Sequence, residues 1–128
     1  MNNPRPGKIG EINEAAIKTL GLSTKSGTPI FIERTNINHM LKCHNNDYIK
    51  YGCYISQIID APDYVGINPK DNSIEYIKKF SIDDEFVKVA VRVSVSGVYF
   101  VRSIYIVNKN RVHNFISKGT LKPLTKQS

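Results

Sequence analysis

The first part of the chain carries apolar residues at helical spacing, after an opening rich in proline and glycine. The stretch MNNPRPG predicts a disordered lead-in or linker over residues 1–8. Apolar residues then recur every three or four positions and predict a helix over residues 11–20, which Gly21 ends. A turn (TKSGTP) and a short strand (IFIE) follow.

Further helical structure is predicted over residues 36–59, with Thr35 or Asn36 as the N-cap. One stripe recurs at i, i+3, i+4, i+7 spacing: Ile37, Met40, Leu41 and His44. We therefore expect His44 on the inward face near the end of its helix, with His39 well around the helix from it. A second apolar face is formed by Tyr48, Tyr51, Ile55, Ile58 and Ile59, and Pro62 follows its end.

From Asp63 onward the apolar period changes to two, which predicts strands. SIEYIKKF, FVKVAVRVSV and VYFVRSIYIV are the three runs, and Ser96 with Gly97 joins the last two as a tight hairpin. The tail predicts a short helix or turn and an edge strand. Helices followed by an antiparallel meander predict an α+β fold. We expect one domain over residues 9–128, in which the N-terminal helices pack on one face of a twisted antiparallel β-sheet.

The predicted two-residue turn fixes the register of the hairpin, and directly opposed residues share a face of the sheet. The face expected to meet the helices holds Val87, Val89, Val91, Val93, Phe100, Ile104 and Ile106. Arg102 also falls on that face, and only a bulge or an edge position would free its charge. The opposite face is polar and holds Lys88, Arg92, Ser94, Tyr99, Ser103 and Tyr105.

Cations and hydroxyl donors without a neighbouring carboxylate suit an anion such as a phosphate group, whose oxygens accept several hydrogen bonds. Exposed tyrosines such as Tyr99 also offer surfaces on which unpaired bases stack. The alternative is an ordinary solvated sheet face. The polar face of the hairpin is therefore a candidate anion-binding surface.

Composition narrows the class of partner. The chain has 128 residues and a net charge of +7, which favours a polyanionic partner such as nucleic acid, an anionic membrane surface or an acidic protein. No apolar run approaches the roughly 20 residues of a membrane span, and we expect no spanning segment or signal peptide. Cys43 and Cys53 lack metal-binding spacing, so free thiols are favoured, with a bridge between them as the alternative.

Four segments in the same order resemble a known family over roughly residues 29–122: FIERTNINHMLKCH, IIDAPDYVGINPKDNSIEYIKKF, VKVAVRVSVSGVYFVRSIY and ISKGTLK. The histidine-bearing helix, the Pro-Asp after the second helix and the Ser-x-Tyr on a late strand carry the match together. They resemble the phage-encoded branch of the barnase–EndoU–colicin–RelE-like ribonucleases. The resemblance implies that family's fold and a metal-independent endoribonuclease of the toxin type, with no cofactor.

In such enzymes the 2′-hydroxyl of the RNA attacks the next phosphate while a base and an acid move the protons. The resemblance assigns proton transfer to His39 and His44, charge neutralisation to Lys79 and Lys88, and phosphate binding to Ser103 and Tyr105. His44 as a core histidine and His39 as a solvated side chain are the alternatives.

Other residues are implied as substrate contacts: Lys78, Arg92 and Thr120. Lys78 and Lys79 cannot both face the cleft, because neighbours on a strand point to opposite sides, and the strand pattern does not decide between them. Some members use a catalytic glutamate, for which Glu75 is the one candidate we can name.

The resemblance also implies partners and a place of action. We expect RNA, such as tRNA, as the substrate and a cognate immunity or antitoxin protein as a second partner. We expect action in the cytoplasm of the target cell, after delivery as part of a larger secreted or phage-borne effector. A basic RNA-binding domain without catalysis is the main alternative. A third hypothesis is an interaction domain whose charge serves an acidic partner.

Overall fold

The computed structural model of the protein describes residues 3–124. Helices and strands alternate in the first half, and a meander of strands forms most of the second half. The elements are β1 (Gly7–Ile12), α1 (Glu14–Leu20), β2 (Thr28–Ile32), α2 (Arg34–Cys43), α3 (Asn45–Tyr51), α4 (Ile55–Asp60), β3 (Tyr64–Ile67), β4 (Ile74–Phe80), β5 (Glu85–Val93), β6 (Tyr99–Val107), α5 (Lys109–Ser117) and β7 (Leu121–Pro123). A 3₁₀ turn, Gly52–Tyr54, joins α3 to α4.

The strands form one sheet in the order β1-β2-β6-β5-β4-β3-β7. All neighbours are antiparallel except β2 and β6, which pair in parallel over two residues, Ile30 with Tyr99 and Phe31 with Phe100. The predicted α+β class with a largely antiparallel sheet is confirmed. The parallel pair was not predicted, because nothing in the local pattern of a strand names its partner.

Helices α1–α4 cover one face of the sheet, which we call the helix face. Its sheet residues are fully buried or nearly so: Ile30, Ile32, Val65, Ile74, Tyr76, Val87, Val89, Val91, Val101 and Ile104. The predicted stripe of α3 and α4, from Tyr48 to Ile59, packs against them and is buried. Burial of this apolar surface is the main force that joins the helices to the sheet.

The opposite face, which we call the open face, is covered by α5 at one end. There Val112 packs with Ile77, Phe86, Val107 and Leu121 in a second, smaller core. Toward the hairpin end, only the first turn of α2 borders this face among the helices of residues 3–124. The sheet therefore has one buried face and one face that is half covered.

The lead-in predicted over residues 1–8 is wrong for Gly7 and Lys8, which belong to β1 and pair with Ile32 and Phe31. The helix predicted over residues 11–20 begins only at Glu14. Asn13 caps it, since its Oδ1 accepts from the backbone N–H of Ala16 at 2.9 Å. The alternation of apolar and polar residues in KIGEI is short, and the helical spacing of the residues after it concealed this strand pattern.

The N-cap of α2 also differs from the prediction of Thr35 or Asn36. Glu33 is the N-cap, and its backbone N–H donates to Oδ1 of Asn36 at 2.8 Å. Asn36 thus acts from inside the first turn, as the third residue of a capping box does.

The hairpin between β5 and β6 has a three-residue loop rather than the predicted two-residue turn. The N–H of Ser94 donates to the carbonyl of Val98 at 2.7 Å, and Gly97 has φ of 86°. Arg92 therefore pairs with Phe100, one residue away from the predicted register. A bulge between Ala90 and Val91 on β5 leaves Arg102 unpaired on β6, and the predicted register returns from Ser103 onward.

This shift exchanges the faces predicted for Tyr99 and Phe100. Tyr99 lies on the helix face, and Phe100 lies on the open face beside Arg92. The bulge confirms the expectation that Arg102 needs one to leave the apolar face. Val93, predicted to be inward, is exposed at the hairpin tip, as is Val95.

Cys43 and Cys53 are free thiols. Among the helices of residues 3–124, none is long and apolar enough to cross a membrane.

Candidate active site

The second half of β6 has an edge that no strand covers within residues 3–124, because β2 pairs with β6 only at its start. Helices α2 and α3 lie along this edge. Asp47 of α3 takes the place of a strand partner: its Oδ2 accepts from the backbone N–H of Ile106 at 3.1 Å. The α2–α3 junction is therefore held at the rim of the sheet, next to the open face.

His44 is the residue at this junction. Its N–H donates to the carbonyl of Met40 at 2.8 Å, and its own carbonyl accepts from Tyr48 at 2.8 Å, so the backbone is fixed in both directions. The imidazole stacks on the ring of Tyr105, with centroids 5.4 Å apart and planes 23° apart. His39 lies one turn earlier, with its ring centroid 6.4 Å from that of His44. Both imidazoles are thus brought to the rim.

Lys88 also lies beside the Tyr105 ring, on the neighbouring strand. Its Nζ is 4.8 Å from the ring centroid and 2.9 Å from Oε2 of Glu75. The side chains of Lys88 and Glu75 are each only 9% exposed. Asn68 donates from Nδ2 to the same Glu75 oxygen at 3.3 Å.

This ion pair is buried because the strand register holds both side chains on neighbouring interior strands of the sheet. Lys88 pairs with Ile77 on one side and with Tyr105 on the other, and Glu75 pairs with Ala90. Burial by itself lowers the pKa of Lys88, but hydrogen bonds with Tyr105 and Glu75 outweigh it, so the pKa is raised overall. Lys88 is therefore a permanent cation at neutral pH, and removing one partner would leave the other charge uncompensated.

Two arginines and a serine continue the open face toward the hairpin. Ser103 pairs with Ala90, next to the bulge that turns Arg102 out of register. Arg92 and Arg102 line a cavity of ≈ 430 Å³ together with Phe100. Hydrogen bonds from Ser73 lower the pKa of Asp71, and the charges of both arginines lower it further. Two cations thus continue the face that holds Lys88 and Glu75, with two nearby carboxylates, Asp71 and Glu33.

The residues His44, Tyr105, Lys88 and Glu75, which we call the rim cluster, combine an imidazole, a phenol, a buried cation and a carboxylate. Comparison with known families shows what kind of domain carries these residues. The family described as phage-Barnase-EndoU-ColicinE5/D-RelE like nuclease3 matches residues 7–114. The chain belongs to this nuclease family.

Comparisons with curated proteins and with solved structures gave no significant match. The family match covers the rim cluster and the arginines, and it ends within α5. The domain is therefore a nuclease whose substrate is nucleic acid.

Several predicted site residues of this nuclease are brought together. His39, His44, Ser103, Tyr105 and Lys88 lie at or beside the rim of the open face, and Arg92 follows on the same face. His44 lies at the end of its helix beside the sheet, as its sequence position indicated. Its predicted inward neighbour Leu41 is instead 37% exposed.

Three predicted site residues are not brought there. Lys78 lies on the helix face, where its Nζ donates to the carbonyl of Ala61 at 2.7 Å. Tyr99 also lies on the helix face, and its hydroxyl is 2.8 Å from Oγ1 of Thr24. Lys79 is on the open face but at the end that α5 covers, where it pairs with Asp84 at 3.3 Å. The one-residue register shift explains Tyr99, and strand alternation explains why Lys78 and Lys79 separate.

Thr120 lies before β7, on the same side of the sheet as Glu75. Its carbonyl passes over Gly66, so closely that a Cβ at Gly66 would lie 2.5 Å from it. Gly66 pairs directly with Glu75. Thr120 is therefore one strand beyond Glu75 on the open face, and the site prediction for it remains a prediction.

Sequence reasoning missed Arg102 and Asn68 and treated Glu75 as only a possibility. A signal for Arg102 was present, because an arginine in an apolar row requires a bulge. Nothing in the sequence indicated that Glu75 and Lys88 pair, since 13 positions separate them. Among residues 3–124, no group of three or more His, Cys, Asp or Glu side chains could hold a metal ion.

Proposed function

We propose that this nuclease domain cleaves RNA by attack of a 2′-hydroxyl on the adjacent phosphate, without a metal ion. A 2′-O–P bond forms and the P–O5′ bond breaks, which leaves a 2′,3′-cyclic phosphate and a 5′-hydroxyl. One proton leaves the 2′-oxygen and one reaches the departing 5′-oxygen. The observation that carries the proposal is the stack of His44 on Tyr105, whose ring also lies beside the Nζ of Lys88.

Each residue of the rim cluster has a role in this reaction. An imidazole transfers protons readily near neutral pH, and we assign one transfer to His44 and the other to His39. Lys88 offsets the charge that develops on the phosphorane, and a cation held in a water-poor position does this more effectively than an exposed one. The hydroxyls of Tyr105 and Ser103 donate to the phosphate oxygens.

Glu75 acts through Lys88 rather than on the substrate. Its Oε2 already accepts from Lys88 and Asn68, which leaves it well placed to hold the ammonium group toward Tyr105. We regard Glu75 as a positioning residue. A Glu75→Gln variant should lower kcat while leaving the pH profile of cleavage in place, whereas loss of a proton carrier would remove one limb of that profile.

The direct experiment uses an oligodeoxynucleotide that contains a single ribonucleotide. Cleavage is expected only after that ribonucleotide and also in EDTA, and mass spectrometry should find a 2′,3′-cyclic phosphate on the 5′ fragment. The same strand with a 2′-deoxy or 2′-O-methyl residue should stay intact. Cleavage of the all-deoxy strand, or cleavage that EDTA stops and Mg²⁺ restores, would contradict the mechanism.

We further propose that the domain acts as a toxin module on tRNA or another structured RNA in the cytoplasm of a target cell, and that a cognate immunity or antitoxin protein restrains it. The net charge of +7 and the family's phage-linked nucleases support this proposal. Induced expression should arrest growth, and the His44→Ala variant should not. If the domain bound RNA without cutting it, the non-catalytic hypothesis would replace this one.

A further inference from the structure

An apolar cavity lies on the open face beyond the arginines, and the rim cluster does not use it. It has a volume of ≈ 720 Å³ and is lined by Phe31, Phe100, Val98 and Pro6, with Arg34 at its border. Phe31 and Phe100 pair directly across β2 and β6, so both rings project from the same face. Their centroids are 6.3 Å apart, and their planes are tilted by 48°. Two aromatic side chains are thus only partly buried on a nuclease surface.

This cavity is continuous with the cationic one described above. Phe100 and Glu33 line both cavities, and Arg92 and Arg102 line the second. Along β5, Arg92 lies opposite Phe100, and Lys88 of the rim cluster lies opposite Tyr105. Those two positions are separated by about 14 Å, at ~3.4 Å per residue. From the hairpin end toward the rim, the open face carries two aromatic rings, then two guanidinium groups and then the rim cluster.

That order matches the groups of a single-stranded nucleic acid. With one phosphate on the rim cluster, a phosphate farther along the same strand would lie beside the arginines, and its base would then reach the aromatic cavity. Base–aromatic stacking does not depend on the identity of the base, because every base has a π-face. The arginines complement the phosphates that must accompany the base, whereas an apolar protein segment would leave these cations unused.

We propose that Phe31 and Phe100 form a subsite that stacks one unpaired base of the RNA a short distance along the strand from the scissile phosphate. The subsite rests on the proposed function, and it adds a substrate class: the cleaved position must lie in an unpaired segment. The bulge at Arg102 helps to form the same subsite. It shifts the register so that Phe100 rather than Tyr99 faces the substrate, while Arg102 is turned toward the backbone of the RNA.

The test measures binding of a non-cleavable oligonucleotide that has a 2′-deoxy residue at the cleaved position. Phe100→Leu and Phe31→Leu should each weaken binding by roughly 5- to 100-fold, the usual worth of one stacked base. Ile82→Ala is the matched control, since Ile82 is 92% exposed between β4 and β5 and lines neither cavity. Thermal denaturation should show that all three variants are folded.

A second arm removes the base instead of the ring. An abasic residue is moved along the oligonucleotide, and one position near the cleaved phosphate should reproduce the loss caused by Phe100→Leu. The two changes together should cost no more than either alone. Unchanged affinity in both phenylalanine variants, or additive losses at every abasic position, would overturn the subsite. Absence of cleavage by the wild-type protein would instead refute the proposed function, so the two failures are distinguishable.

Discussion

Two sites on the open face are built from the same kinds of residue, and only one has the features of a catalytic centre. In the rim cluster, His44 stacks on Tyr105, which lies beside Lys88 and its partner Glu75. At the end covered by α5, His113 meets the edge of Phe86 at 6.3 Å, and Lys79 lies 5.9 Å from the same ring. Lys79 is paired with Asp84, which also binds Lys109.

The two sites differ in the burial of their charge pairs and in the hydroxyl group on the central ring, which only the rim cluster has. The Lys88–Glu75 pair is 9% exposed on each side chain, whereas Lys79 and Asp84 are about half exposed. A buried charge pair has a fixed geometry and a strong field, while an exposed pair is weakened by solvent. The central ring is a tyrosine in the rim cluster and a phenylalanine in the second site. A histidine, a lysine and a carboxylate around an aromatic ring therefore do not by themselves make a catalytic centre. A buried charge pair and a hydroxyl donor distinguish the rim cluster from the second site.

The largest difference is expected for the histidines. His44→Ala should lower the cleavage rate by about 10²–10⁴-fold, the usual contribution of a general acid or base. His113→Ala is the matched control in the second site, and its rate should stay close to that of the wild type. Single-turnover cleavage of the single-ribonucleotide substrate measures both. Equal losses in the two variants would mean that the comparison identifies the wrong site.

The two lysines should differ in their effect on stability. Lys88→Met leaves Glu75 buried and uncompensated, which should lower the free energy of unfolding by about 3–5 kcal/mol. Lys79→Met removes an exposed pair and should change it by about 1 kcal/mol or less. Urea denaturation at neutral pH measures both.

A double variant separates the charge from the packing in the rim cluster. Lys88→Met combined with Glu75→Gln should recover most of the stability but not the activity, because no charge is left unpaired. Since the pKa of Lys88 is raised in the folded protein, the stabilisation from its charge is fully present at neutral pH and is lost only as the pH rises above the ordinary lysine value of 10.5. Stability of the double variant that is no better than that of Lys88→Met would contradict the account.

Tyr105→Phe converts the central ring of the rim cluster into that of the second site. The phenyl ring can still stack on His44, but Lys88 loses its hydrogen bond with the phenol, so the free energy of unfolding should fall by about 1.5–3 kcal/mol. Cleavage should fall roughly tenfold, the worth of one hydrogen bond to a charged group. Steady-state kinetics should show the loss mainly in kcat, because the phenol is expected to donate to the phosphate in the transition state. A loss as large as that of His44→Ala would mean that Tyr105 transfers a proton.

The smallest effect is expected for the arginine that the bulge turns out. Arg102→Ala should weaken binding of a single-stranded RNA severalfold, and it should reduce the slope of log K against log salt by about 0.7, the value for one phosphate contact. Lys18→Ala on α1 is the control, because α1 lies on the opposite side of the sheet, and its slope should not change. Salt-dependent filter binding measures both slopes.

Local patterns predicted the helix face and the position of His44. The valine alternation of β5 and the stripe of α2 are strong periodic signals, and Val87, Val89 and Val91 are fully buried. A helix whose inward stripe ends at His44 can only present that imidazole at the border of the surface it covers. Both inferences needed no knowledge of distant contacts.

Pairing between distant strands could not be predicted in the same way. The choice between Ser96-Gly97 as a two-residue turn and a three-residue loop shifts the register by one position, and this alone exchanged Tyr99 with Phe100. The predicted register failed at the tip yet held at Lys88 and Tyr105, because the bulge at Arg102 compensates for the longer loop. Glu75 was recognisable only after β4 was paired with β5.

The location of the site can be tested without any substitution. The domain, labelled with ¹⁵N, is titrated with the non-cleavable oligonucleotide, and the imidazole resonances of His44 and His113 are followed by NMR. We predict that the His44 resonances shift with saturation while those of His113 stay in place, because the phosphate binds beside Tyr105 and Lys88. A saturating shift of His113 with no change at His44 would contradict the assignment of the rim cluster as the active site.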